Sequence, residues 1–160
     1  MKKKLVVYFS YTGHTKMIVD KIKEKLDCDV LEIETVIPYS TDYDTVVNDE
    51  QNNERSKFLQ EIKDININLN NYDEIILGTP VWWYRPAPAI RSFLTKYDLT
   101  DKTVIPFATN AGWLGKTFIE INNMCPNSNI RNNMNIVFES YSDNLVTSNR
   151  EIEQFIYSLK

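Results

Sequence analysis

Short unbroken apolar runs alternate with apolar residues spaced three and four apart along most of the chain. Leu5-Val6-Val7-Tyr8-Phe9 carries no polar alternation, the pattern of a strand covered on both faces. Ile18, Ile22 and Leu26 then follow at helical spacing. Val30 to Ile33 reads as a second strand. The stretch from Val36 to Asn53 is polar, rich in Tyr, Asp and Asn, with Pro38 near its start. It predicts a long connection leading into a helix through Phe58, Leu59, Ile62 and Ile65. Glu74-Ile75-Ile76-Leu77-Gly78 is the third strand. Pro86 and Pro88 suit the first turn of a helix, where a missing N–H costs nothing, and Ile90, Phe93, Leu94 and Tyr97 continue it. Val104 to Ala108 predicts a fourth strand, with Pro106 an oddity in a central position. A helix over Lys116 to Cys125, a fifth strand over Asn135 to Phe138, and a helix through Ile152, Phe155, Ile156 and Leu159 complete the order.

Five strand–helix units in succession predict one α/β domain over residues 1–160: a doubly wound, five-stranded parallel sheet with helices on both faces. No repeat or linker divides it. Ligands of such sheets bind beyond the carboxyl ends of the strands, so the residues just after each strand carry the functional information.

The totals narrow the classes of function. In 160 residues, 42% are apolar and 25% charged, ordinary for a globular chain, and the net charge is −4. That balance argues against nucleic acid or an anionic membrane as the main partner. Cys28 and Cys125 lie far apart and belong to no ligand cluster, and His14 is the lone histidine, so no metal site is expected. The apolar run after Met1-Lys2-Lys3-Lys4 is too short for a secretory leader, and no stretch approaches the roughly 20 apolar residues of a membrane span. A cytoplasmic location is the expectation.

Three loops at the predicted strand ends stand out. The first, Ser10-Tyr11-Thr12-Gly13-His14-Thr15, offers three hydroxyls, a glycine and the start of a helix. Free amides and the dipole of a helix N-terminus suit an anion such as phosphate; alternatively, Thr15 caps the helix and the rest fills a polar turn. The second, Thr79-Pro80-Val81-Trp82-Trp83-Tyr84, brings three large aromatics to one strand end. They can stack on a flat heteroaromatic ring, or one Trp can belong to the core and another to an interface. The third, Thr109-Asn110-Ala111-Gly112-Trp113-Leu114-Gly115, has glycines that permit close backbone approach, with Trp113 as a cover or as a lid on its own loop.

Phe9 to Thr15 resembles the flavodoxin phosphate loop, whose core pattern is close to T-x-T-G-x-T. Gly78-Thr79-Pro80-Val81-Trp82-Trp83 resembles the Gly-x-Pro-(Ile/Val)-Trp-Trp stretch of a short-chain bacterial flavodoxin-like subfamily. Tyr97 to Thr109, which contains Pro106, and Pro38-Tyr39-Ser40-Thr41-Asp42-Tyr43 are also similar to that subfamily, so the likeness spans residues 5 to about 138. It implies the strand order 2-1-3-4-5 and FMN as cofactor. Carried over, Ser10, Thr12, Gly13, His14 and Thr15 would hold the phosphate, with Pro80 to Tyr84 and Thr109 to Gly115 bracketing the isoalloxazine. The chain departs at Tyr84, where the subfamily carries Gly. A side chain there hinders a backbone flip beside the ring. It departs again in the third loop, which is bulkier than the usual Ser-Gly-Gly-Ser-Gly.

The resemblance implies an FMN-dependent electron carrier that works with a redox partner protein or a small acceptor. Aromatic walls and an acidic surface would disfavour an anionic reduced flavin, and about 59 mV corresponds to about 1.4 kcal/mol for one electron. No residue is an obvious general acid, base or nucleophile. Two rivals stand beside the carrier. An NAD(P)H-dependent quinone or flavin reductase would bleach with NADPH alone. A cofactor-free binding module would take up no FMN. Asn110 to Thr117 nearly reads as a nucleotide-binding P-loop, but Asn110 stands where Gly is required and no strand ends in an Asp for magnesium.

Overall fold

The computed structural model describes residues 2–160. β1 (Lys4–Tyr8), β2 (Asp29–Glu32), β3 (Glu74–Trp82) and β5 (Thr103–Asn110) run parallel in the order β2-β1-β3-β5. β5 is flanked by β6 (Asn129–Ile130) and β7 (Met134–Val137), both parallel to it. The expected order is present, with β5 as the fourth strand and β6 and β7 together as the fifth. The expected count of five is corrected to seven, because the last strand is broken and a short antiparallel β4 (Arg85–Pro86) folds back on the end of β3.

The break accounts for Pro106. β6 pairs with Thr103 and Val104 and β7 with Phe107 to Asn110, which leaves Ile105 and Pro106 opposite residues 131–133. Arg131 donates its N–H to the Val104 carbonyl, and Phe138 donates to the Asn110 carbonyl. The backbone polar groups of even-numbered residues of β5 therefore face this edge. The N–H that proline lacks is missing where the neighbouring strand makes no ladder.

Alternate residues of the strands bury in opposite layers. Leu5, Val7, Ile75 and Leu77 pack with Ile90, Phe93 and Leu94 of α3 (Pro88–Lys96) and Ile121 of α4 (Thr117–Met124). Val6, Tyr8 and Ile76 pack with Ile18, Val19 and Ile22 of α1 (His14–Lys25) and Ile152, Phe155 and Ile156 of α5 (Asn149–Ser158). Cys28 and Cys125 are free and buried. Among the described residues, no helix is long and apolar enough to cross a membrane.

Three further sequence expectations are corrected. Most of the polar stretch expected as a connection is helix α2 (Tyr43–Ser56), started by Asp42, whose carboxylate accepts the Thr45 N–H (3.3 Å), and ended by Lys57 at φ 58°. Conversely, the helix expected through Phe58 to Ile65 is extended chain. Ile62 bridges antiparallel to Thr35, with Val36 N–H donating to the Glu61 carbonyl (2.9 Å) and Lys63 N–H to the Glu34 carbonyl (2.8 Å). Of its apolar residues Ile62 is buried, whereas Phe58 is exposed. Pro88 opens α3 as expected, but Pro86 belongs to β4 and not to the helix.

Candidate functional site

The first loop leaves β1 and enters α1 through Gly13, which holds φ 99° as the N-cap residue. That backbone conformation is open to glycine and strained for other residues. Ser10 Oγ accepts the Lys16 N–H at 3.2 Å, and the Gly13 carbonyl accepts the Met17 N–H at 2.9 Å. The amides of Gly13, His14 and Thr15 find no protein acceptor among the described residues, and no acidic side chain lies in the first turn of α1. Three donors with a helix dipole behind them form a cradle for an anion, and the exposed Thr12 stands beside it.

The side chains of this loop divide. Thr15 is buried and its hydroxyl hydrogen-bonds that of Thr109 on β5 at 2.7 Å, so it ties the first turn of α1 to the end of β5 and does not cap the helix. The His14 ring stacks on Phe138 with centroids 4.0 Å apart and meets Asp143 at 2.9 Å, away from the cradle that its amide helps to form. Tyr11 donates its hydroxyl to the Ser40 carbonyl and packs on Trp82 and Tyr39.

β3 runs past the sheet to Trp82, and the chain turns back at once into β4, pairing Trp82 with Arg85 and Val81 with Pro86. Trp83 and Tyr84 alone make the turn, at φ 53° and 63°. A two-residue hairpin with both φ positive is normally built from Asn and Gly. Two aromatics in this conformation store about 1–2 kcal/mol each. The neighbourhood holds them there. Lys116 donates its N–H to the Tyr84 carbonyl at 2.8 Å, and Tyr84 meets the Trp113 ring edge-on at 6.4 Å. Arg85 clamps the base of the hairpin, with Nε on Glu120 (2.7 and 2.8 Å) and Nη1 on Glu54 (2.9 Å), and Glu54 also accepts from Arg91 (2.7 Å). Thr79 is fully buried, and its hydroxyl accepts the Ala87 N–H at 3.0 Å, tying hairpin to α3.

The two tryptophans have separate roles. Trp82 lies in a cluster with Phe9 (5.7 Å) and Tyr39 (5.1 Å). Trp83, at the turn, is 40% exposed and Trp113 60% exposed. In the third loop, Asn110 Oδ1 accepts the Gly112 and Trp113 amides at 2.8 and 3.0 Å, while its amide nitrogen donates to Asn135 at 2.7 Å. Those two loop amides are thus satisfied within the protein. Ala111 sits half-buried between them and β5.

A cavity of about 240 Å³ opens beside the anion cradle, walled by Tyr11 and Thr12, by Pro80 to Trp83, and by Tyr43, Val46, Val47 and Glu50 of α2. It joins the first two loops. The third loop supplies none of its lining and reaches the site only through the hairpin tip. The α2 wall lies in the segment expected as a connection, although Asp42, Val46 and Glu50, spaced by four, are a usable helix signal. Glu50 is 2% exposed, and burial, opposed by hydrogen bonds from Gln60 and Asn53, raises its pKa. Burial also raises that of Tyr39, with the Glu50 charge adding to it. A mostly apolar, aromatic slot next to three free amides can take a planar ring joined to an anionic group.

The family model described as Flavodoxin matches residues 3–151. A search of curated proteins gives no match. Among solved structures, a Lactobacillus acidophilus flavoprotein in complex with FMN is similar at 27% identity over 84% of this chain and 93% of that one, with a TM-score of 0.72. The apo-form of the Lactobacillus acidophilus flavoprotein aligns at 31% identity over 84% and 92%, with a TM-score of 0.65. A Bacteroides eggerthii protein aligns at 25% identity over 99% and 98%, with a TM-score of 0.76.

Proposed function

The chain belongs to the flavodoxin family, and from that premise we propose that it binds FMN and carries electrons through it to a redox partner. The observation that carries this reading is the juxtaposition of the unpaired Gly13, His14 and Thr15 amides with the slot walled by Tyr11, Trp82 and Trp83. The amides hold the dianionic phosphate, helped by Thr12. Pro80 to Trp83 and α2 line the slot for the flat ring. Trp83, Tyr84 and Trp113 form its outer rim, where the third loop closes on the hairpin. At about 240 Å³ the slot is small for a whole cofactor, so part of the ring stays at the surface, open to an electron-transfer partner.

Bound FMN supplies the electron-accepting ring; the protein supplies its position and electrical surroundings. Among the described residues no cationic side chain lines the slot, and the cations at the hairpin base, the half-buried Arg85 and the buried Arg91, are paired with Glu54 and Glu120. The slot would therefore offer no cation to balance negative charge on a bound ring. The test is the visible spectrum of purified protein after FMN addition and gel filtration. Stoichiometric retention of a perturbed flavin spectrum supports the reading. Complete loss of flavin on the column at micromolar protein, for wild type and for no variant in particular, removes it.

A further inference from the structure

Among the residues lining the slot, Glu50 is the one carboxyl. It sits on the inner face of α2, 2% exposed. Its Oε1 is held by Asn53 Nδ2 at 3.1 Å and by Gln60 Nε2, while Oε2 accepts no hydrogen bond from the protein among the described residues. A carboxyl fixed at one oxygen and free at the other, where it lines an apolar slot, is open to a hydrogen bond with a ligand or water there. We propose that Glu50 is the polar recognition residue of the slot, its free oxygen hydrogen-bonding the polar edge of the bound ring as a neutral acid. The inference rests on the FMN reading.

Three observations support a neutral, donating Glu50. The acceptors of a flavin ring edge need donors, and away from Thr12, which stands at the anion cradle, the slot's other walls are Val46, Val47, Pro80, Val81 and aromatic side chains. The titratable and charged groups facing Glu50 are Glu54 on its own helix, Arg91 on α3 and Tyr39 on the chain before α2. Arg91 is already engaged by Glu54 at 2.7 Å and so gives Glu50 little reason to ionise. Burial is the leading influence on the carboxyl and favours the protonated form.

The experiment titrates apo-protein with FMN and, separately, with riboflavin, which lacks the phosphate and its own titration, following flavin fluorescence from about pH 5 to about pH 8. Wild type binds riboflavin more weakly as pH rises. Glu50→Leu loses about tenfold in affinity for both flavins, the worth of one hydrogen bond. Glu50→Gln, which keeps a donor, stays within about threefold of wild type and loses the riboflavin pH dependence. Wild-type affinity in Glu50→Leu, or an unchanged pH profile in Glu50→Gln, overturns the proposal while leaving FMN binding intact. Wild type that binds neither flavin overturns the FMN reading and this inference with it. Should Glu50→Leu fail to fold by its melting curve, the Glu50→Gln profile decides alone.

Discussion

Replacing Gly115 by Ala perturbs the hairpin tip without touching any residue of the slot. Gly115 has φ 53°, and a Cβ there would collide with the Cβ, Cα and carbonyl oxygen of Tyr84. Those backbone atoms cannot retreat cheaply, because Tyr84 already holds φ 63° and its carbonyl is fixed by Lys116 N–H. The left-handed conformation costs Ala about 1–2 kcal/mol and the overpacking about 1–3 kcal/mol, for a total of about 2–5 kcal/mol. Gly112→Ala is the control. It lies in the same loop at φ 111°, a less favourable conformation for a side chain, but with nothing near its Cβ. Conformation alone ranks Gly112→Ala as the more harmful change; the collision reverses the order. Urea unfolding of both apo-proteins measures this. The expected gap is at least about 1 kcal/mol, or about 2–4 °C in melting temperature for a chain of this size, with FMN affinity falling alongside in Gly115→Ala. Equal stabilities, or Gly112→Ala the weaker protein, would refute the account of how the hairpin is held.

Other outcomes follow from the same geometry. Thr12→Ala and Gly13→Asp weaken FMN binding, the second by more than tenfold because it sets a carboxylate beside the free amides. Tyr157→Ala on the exposed face of α5 leaves binding unchanged; equal retention in all three by fluorescence titration moves the phosphate elsewhere. Arg85→Met leaves Glu54 and Glu120 facing each other across the hairpin base, and costs about 1–2 kcal/mol together with FMN affinity, read by urea unfolding and flavin titration. Glu50 has a folded pKa above its unfolded value of about 4.3. Its contribution to apo-protein stability is therefore complete below that value and is lost as pH rises through the folded pKa. A urea midpoint that falls over this window in wild type and is flatter in Glu50→Gln is expected; parallel curves contradict it.

Much of the architecture was readable because the strands of a covered parallel sheet need unbroken apolar runs, and β1, β3 and β5 supply them. The entry into α1 was readable because the glycine of the first loop, Gly13, stands where the apolar run ends and helical spacing begins. Failure came where burial is polar. α2 hides only Val46 and Glu50 and is attached through Glu54 to Arg85 and Arg91, so its apolar period is too thin to see. The Phe58 to Ile65 spacing imitates a helix, yet the segment is extended: Ile62 is buried and pairs with Thr35, Ile65 packs on the core's edge, and Phe58 is exposed. Which tryptophan is structural depends on a hairpin whose turn residues, Trp83 and Tyr84, violate the usual Asn and Gly preference. No local rule places a reversal there. The split of the last strand was signalled by Pro106, though only the partner strand shows why.

Backbone amide and indole NMR signals of the ¹⁵N-labelled apo-protein, followed during titration with FMN, report on the anion cradle and the aromatic slot at once. The Gly13, His14 and Thr15 amides should move downfield as they donate to phosphate, together with the Trp83 indole, and riboflavin should move Trp83 while leaving the three amides nearly in place. Saturating FMN that shifts neither set, or shifts only residues remote from the first two loops, contradicts the account.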